Sequence, residues 1–166
     1  MKLALFLAVG ILVLPPVAEA QIEIGFDSGV TVDRTLGTNL TTFEIPSSNL
    51  RVGFPGATFT FETLASFTVQ RRVDETTTVI RVLPGIVYHW RPTTYFRGEA
   101  GLLLLNDSGS SLNQFAFGIA IGNKRQIGPG PLYLRFEFGL DQWRRNSDFF
   151  AHSEFRGLVG ISVVVN

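Results

Sequence analysis

Leu132-Tyr133-Leu134-Arg135-Phe136-Glu137-Phe138-Gly139-Leu140-Asp141 alternates without a break. Leu132, Leu134, Phe136, Phe138 and Leu140 fall on one side of an extended chain, and Tyr133, Arg135, Glu137, Gly139 and Asp141 on the other. Side chains of a strand point alternately to opposite faces, so this segment predicts a strand between two different solvents. The pattern repeats outward from it. Phe115, Phe117, Ile119 and Ile121 oppose Gln114, Ala116, Gly118, Ala120 and Gly122, while Ile22, Ile24, Phe26, Val30 and Val32 oppose Glu23, Gly25, Asp27, Gly29 and Thr31. Turn-forming residues break the chain into eight predicted strands at 22–33, 44–54, 57–70, 76–90, 93–105, 111–123, 131–142 and 152–165. The second strand has the weakest pattern because of Pro46-Ser47-Ser48-Asn49, and in the fourth and eighth Leu83, Val87, Leu158 and Val164 fall on the polar face. No segment reads as a helix.

Alternation alone does not say whether the apolar face looks into a core or out to lipid. The polar face settles it. Gly25, Gly29, Gly53, Gly85, Gly101, Gly118, Gly122, Gly139 and Gly160 lie on it, which suits a crowded interior better than an open surface, and an eight-stranded barrel is just wide enough to be filled by side chains. From Gln21 onward the only lysine is Lys124, where a water-facing surface normally mixes many Lys and Glu. Arg51, Arg81, Arg97, Arg135 and Arg156 share the polar face with Glu23, Asp27, Glu62, Glu99, Glu137, Asp141 and Glu154. Guanidinium forks pair well with carboxylates in confined space, so these twelve residues predict a structural charge network in the lumen. Tyr88, Trp90 and Phe96, beside the Arg91-Pro92 turn, fit an aromatic girdle at a membrane interface. The reading is an all-β, eight-stranded, antiparallel up-and-down transmembrane barrel with lipid outside.

The first twenty residues match a secretory leader: Lys2, an apolar run from Leu3 to Leu14, and Ala18-Glu19-Ala20 as the cleavage site. Residues 1–20 are therefore expected to be a signal peptide and 21–166 one barrel domain. The apolar run is short for a spanning helix, and Pro15-Pro16 ends it. The chain holds 14 Lys plus Arg against 14 Asp plus Glu and no Cys. That balance argues against nucleic-acid binding, and the absence of Cys excludes disulfides and thiol chemistry. Turns at Phe54-Pro55-Gly56 and Arg91-Pro92 are tight; the connections at 34–43, 71–75, 106–110 and 143–151 are expected to be longer, polar and external, with both termini periplasmic. Residues 124–130 make a longer turn than that side usually shows.

The signal peptide, eight alternating strands, the Leu50-Arg51-Val52-Gly53-Phe54 segment before a Pro-Gly turn and the last strand at the end of the chain together resemble the small outer-membrane barrels of the OmpA transmembrane-domain and OmpX type, over Gln21 to Asn166. The resemblance implies a Gram-negative outer-membrane location, structural, adhesive or stress-related roles, contact with lipid and lipopolysaccharide, and insertion by the barrel-assembly machinery. Such barrels usually end in an aromatic residue, whereas this chain ends in Asn166.

No catalytic residue, cofactor or metal is expected. His89 and His152 are the only histidines, and one histidine plus carboxylates is a weak ligand set. His152 beside Ser153 invites comparison with outer-membrane lipid-A acyltransferases and deacylases, but neighbours in a strand point oppositely; Asp107 and Ser108 are the alternative partners across the loops. Trp143, Arg144, Arg145, Phe149 and Phe150 form a candidate external surface for lipopolysaccharide or a surface partner. The expected function is a monomeric, non-enzymatic barrel with a plugged polar lumen. The alternatives are a narrow pore, a lipid-modifying barrel enzyme and a soluble lipocalin-like carrier with its faces inverted.

Overall fold

The computed structural model describes residues 21–35, 41–72, 75–107, 110–144 and 151–165. The leader expected at 1–20 lies outside them. Eight strands, β1 (Ile22–Thr35), β2 (Thr41–Phe54), β3 (Phe59–Arg72), β4 (Glu75–His89), β5 (Thr94–Asp107), β6 (Ser110–Gln126), β7 (Leu132–Trp143) and β8 (His152–Val165), pair antiparallel in chain order. β1 also pairs with β8 from Ile22↔Val165 to Thr35↔His152, which closes the barrel. Closure through β1 and β8 pairs the backbone groups of the first and last strands with each other, as a segment in hydrocarbon requires.

One end carries the turns 55–58, 90–93 and 127–131 together with the first and last described residues, and we call it the turn end; the other is the loop end. At the turn end Arg91 and Thr94 exchange backbone hydrogen bonds (3.1 and 3.2 Å), and Ile127 N donates to Leu132 O (2.8 Å) around Gly128, whose φ of 69° disfavours other residues. β6 runs on to Gln126, so the long turn expected at 124–130 is shorter and begins at Ile127. The loop end also departs from expectation. β3 continues to Arg72 before β4 begins at Glu75, and β5 to Asp107 before β6 begins at Ser110, so residues expected in long loops extend the strands instead.

The faces are inverted relative to a water-soluble protein. Phe138, Ile119 and Phe67 are 70, 68 and 67 % exposed on the outside, among an apolar set that takes in all eight strands. Inside, Glu23, Asp27, Arg51, Arg97, Glu137 and Asp141 are buried. Leu83, Val87 and Leu158, which break the alternation in sequence, are buried too. Leu83 and Leu158 join Leu64, Leu103, Ala116 and Trp143 in an apolar layer. The lipocalin-like alternative, with an apolar interior, is therefore not the structure found.

Two interruptions are local. Pro84 has no N–H to give, and the β4–β5 ladder runs from Thr78 to Val82 and resumes at Gly85; the Leu83 carbonyl at this gap accepts Arg97 Nη2 at 2.9 Å. Between β2 and β3 the register covers only Leu50–Phe54 against Phe61–Ala65, where the sequence pattern of β2 is also weakest.

Ile119→Arg tests the direction of the faces. In a lipid-embedded barrel this change should lower folding stability by about 2–4 kcal/mol if the residue lies near the bilayer midplane, read by denaturant unfolding in lipid vesicles. Near-neutral stability would place the outer face in water.

Candidate functional site

The lumen is built from odd-numbered residues of β1, β2, β4, β5 and β7 and even-numbered residues of β3, β6 and β8, and at four places packing it depends on setting a large group against a glycine. Asp27 is the direct partner of Gly160, Asp141 of Gly118, Tyr95 of Gly122 and Arg156 of Gly139. A Cβ added at any of these glycines would overlap the side chain of its partner. The glycines are space into which the neighbouring strand's charged or aromatic group leans.

Within that space the twelve predicted residues come together. Arg51 Nε meets Asp27 Oδ2 at 2.7 Å, and its Nη1 bonds Glu62 Oε1 and meets Glu137 Oε2 at 3.2 Å. Arg97 pairs with Glu99 (2.5 Å) and Glu137 (3.4 Å). Arg135 bridges Glu23 and Glu62, both at 2.9 Å, and Arg156 joins Asp141 (2.6 Å) to Glu99. Arg81 holds Glu154 at 2.5 Å nearer the loop end. Three members were not foreseen: Lys124 bonds Glu23 (2.6 Å), Tyr95 donates to Glu137 (2.8 Å) and Ser162 donates to Glu23 (2.5 Å). All three share the parity of the polar face in their strands. Extending the sixth predicted strand one residue would have placed Lys124 inside.

The remaining predicted residues divide. His89, at the turn end, shares a 2.8 Å hydrogen bond with Thr60 Oγ1 and meets Tyr95 edge-on, as a lumen filler. Phe59, Tyr88, Trp90 and Phe96 are exposed beside it, with Arg91 4.8 Å above the Trp90 ring, which matches the expected girdle. Trp143 corrects the expected external surface. It is 1 % exposed, lies in the apolar layer of the lumen, stacks on His152 at 5.7 Å and has the Arg81 guanidinium 5.2 Å from its ring. The cause is parity: residue 143 continues the series 135, 137, 139, 141. Arg144 is exposed, 5.6 Å from the outward Phe117 ring; Arg145, Phe149 and Phe150 lie outside the described residues.

Among the described residues no Ser-His arrangement is assembled at His152. Its Nε2 faces Asp33 Oδ2 at 3.4 Å, while Ser153 accepts a 2.6 Å hydrogen bond from Gln142. Ser108 and the side chain of Asp107 lie outside the described residues.

Arg51→Ala would leave Asp27, Glu62 and Glu137 short of a cation in a closed space. Breaking a buried pair from one side costs about 3–5 kcal/mol, so this variant should unfold at a much lower denaturant concentration, whereas Arg144→Ala should leave the midpoint within about 0.5 kcal/mol of the parent. Gly118→Leu should fold poorly, as overpacking a filled interior does, read by the yield of folded barrel on refolding.

No family model matches the chain, and no curated protein sequence matches it. Solved structures do. Ail, the attachment invasion locus protein of Yersinia pestis, superposes with a TM-score of 0.52 at 14 % identity, over 87 % of this chain and 99 % of Ail. Neisserial surface protein A superposes with a TM-score of 0.56 at 12 % identity, over 87 % of this chain and 99 % of that one. Ail in complex with the heparin analogue sucrose octasulfate gives 0.51 at 16 % identity, over 89 and 99 %. At these identities the likeness shows the fold, and the fold is that of the small eight-stranded outer-membrane barrels that Ail and the Neisserial protein represent.

Proposed function

We propose that the protein is a non-enzymatic integral barrel of the bacterial outer membrane, with a filled lumen as its structural core and a loop-end rim that meets lipopolysaccharide or another surface partner. The inversion of faces carries this reading: an apolar outside on every strand around a core of paired charges. Charged side chains from all eight strands occupy the space a channel would need, so the lumen serves as a plug. Pairing of β1 with β8 closes the barrel and leaves only β2 before Leu50 and β3 beyond Ala65 without a cross-strand partner on one side, which supports a monomer. Insertion by the barrel-assembly machinery belongs to the same reading.

At the loop end the support is Arg144. An exposed arginine beside an outward aromatic ring sits where an apolar surface gives way to a polar one, and its planar fork suits phosphate. The surface expected from sequence thereby loses Trp143 and keeps Arg144.

The barrel should remain in the envelope fraction until detergent is added and should migrate differently on gels before and after boiling. Planar bilayers containing it should show no resolved conductance steps. Recovery as a detergent-free monomer would overturn the membrane reading, and stable single-channel steps would overturn the plug. Arg144→Ala should weaken retention of lipopolysaccharide through detergent washing while leaving heat-modifiable mobility intact; unchanged retention would remove Arg144 from the contact.

A further inference from the structure

Three carboxylates stand side by side on the lumen face near the loop end. Glu154 on β8 is the direct partner of Asp33 on β1 and of Asp141 on β7. Like charges directly opposite one another in a sheet repel unless each is neutralised. Asp141 has Arg156 at 2.6 Å and Glu154 has Arg81 at 2.5 Å. Asp33 is left over. Its Oδ1 is shut off from solvent without a hydrogen-bond partner among the described residues, and its Oδ2 has only the His152 ring nitrogen, 3.4 Å away.

We propose that Asp33, His152 and Glu154 form a binding site for a divalent transition-metal ion, with zinc as its representative, that ties β1 to β8 where the barrel closes. One donor atom from each residue lies within 4.8 Å of the donors of the other two. The 3.4 Å between His152 Nε2 and Asp33 Oδ2 is already close to the separation of two ligands on a tetrahedral zinc, about 3.3 Å for bonds of 2.0–2.1 Å. Glu154 joins them through a side-chain adjustment of up to about 1.5 Å, within the reach of a flexible carboxylate. An imidazole nitrogen with two carboxylate oxygens favours zinc and its first-row neighbours over magnesium or calcium. Three protein donors leave a fourth position for water.

The surroundings support the role. Trp143 stacks on the His152 ring with the planes 16° apart and fixes its orientation, and Arg81 holds Oε1 of Glu154. Such outer contacts commonly orient metal ligands. Sequence reading dismissed one histidine with carboxylates as weak, and the site is a weak one of three donors. What it lacked was Asp33, more than a hundred residues away in the chain and brought beside His152 only by closure of the barrel.

The test is zinc titration of the refolded barrel in detergent at neutral pH by calorimetry. One equivalent should bind, and Asp33→Asn and His152→Gln should each weaken binding by about tenfold or more, the scale on which ligand-shell changes act. His89→Gln should bind as the parent does. In the unsubstituted barrel, zinc should shift the ring resonances of one histidine, the one that remains in the His89→Gln spectrum. This second measurement stands even if Asp33→Asn or His152→Gln fails to fold. Absence of binding at about 1 mM zinc, affinity unchanged by His152→Gln, or movement of the His89 resonances would overturn the site.

Discussion

Arg51 reaches three carboxylates carried by three other strands, Asp27 on β1, Glu62 on β3 and Glu137 on β7, and the side chains of all four are at most 1 % exposed. Ions in such a place must be neutralised by one another, since the loss of hydration is large and only close, well-formed pairs offset it. That requirement reaches outward through the whole molecule. It needs strands in fixed register, so that the guanidiniums of Arg51, Arg97, Arg135 and Arg156 arrive at the right heights. It needs glycine opposite Asp27, Asp141, Tyr95 and Arg156, because each of these side chains fills the space that a Cβ on its partner would take. It also needs closure, because an open sheet would admit water between β1 and β8.

The outside of the barrel asks much less of its residues. Phe, Ile, Leu and Val are interchangeable in hydrocarbon to a degree that Arg and Glu in the lumen are not. Specificity for this fold is therefore concentrated in the polar face, where each side chain has named partners, and the apolar face supplies only the preference for lipid. The apolar layer formed by Leu64, Leu83, Leu103, Ala116, Trp143 and Leu158 is the exception, since it fills part of the lumen by packing and only Trp143 in it has named polar partners, His152 and Arg81.

Much of this was legible in the chain itself. Alternation located all eight strands to within a few residues, and the parity of Arg135, Glu137 and Asp141 put the charges inside. Tyr95, Lys124 and Trp143 were missed for a common reason. Each follows the parity of its strand, but aromatic character or a place beyond the predicted strand end drew attention elsewhere. Which arginine takes which carboxylate was not legible at all. Those pairings join residues of different strands, such as Arg51 with Glu137, and depend on the tilt and stagger of the strands around the barrel. The meeting of Asp33 with His152 depends on closure, which alternation does not report.

The short seam between β2 and β3 ties the barrel unevenly along its length. Backbone pairs join these strands from Leu50 to Phe54, and above Ala65 β3 is held by β4 alone, while β2 above Leu50 is held by β1. The molecule is thus shaped like a cuff with a slit: a rigid ring at one rim and, at the other, a circumference that can widen or narrow without breaking any backbone hydrogen bond between these two strands. Whatever meets the loop end meets the compliant rim of an otherwise stiff cylinder.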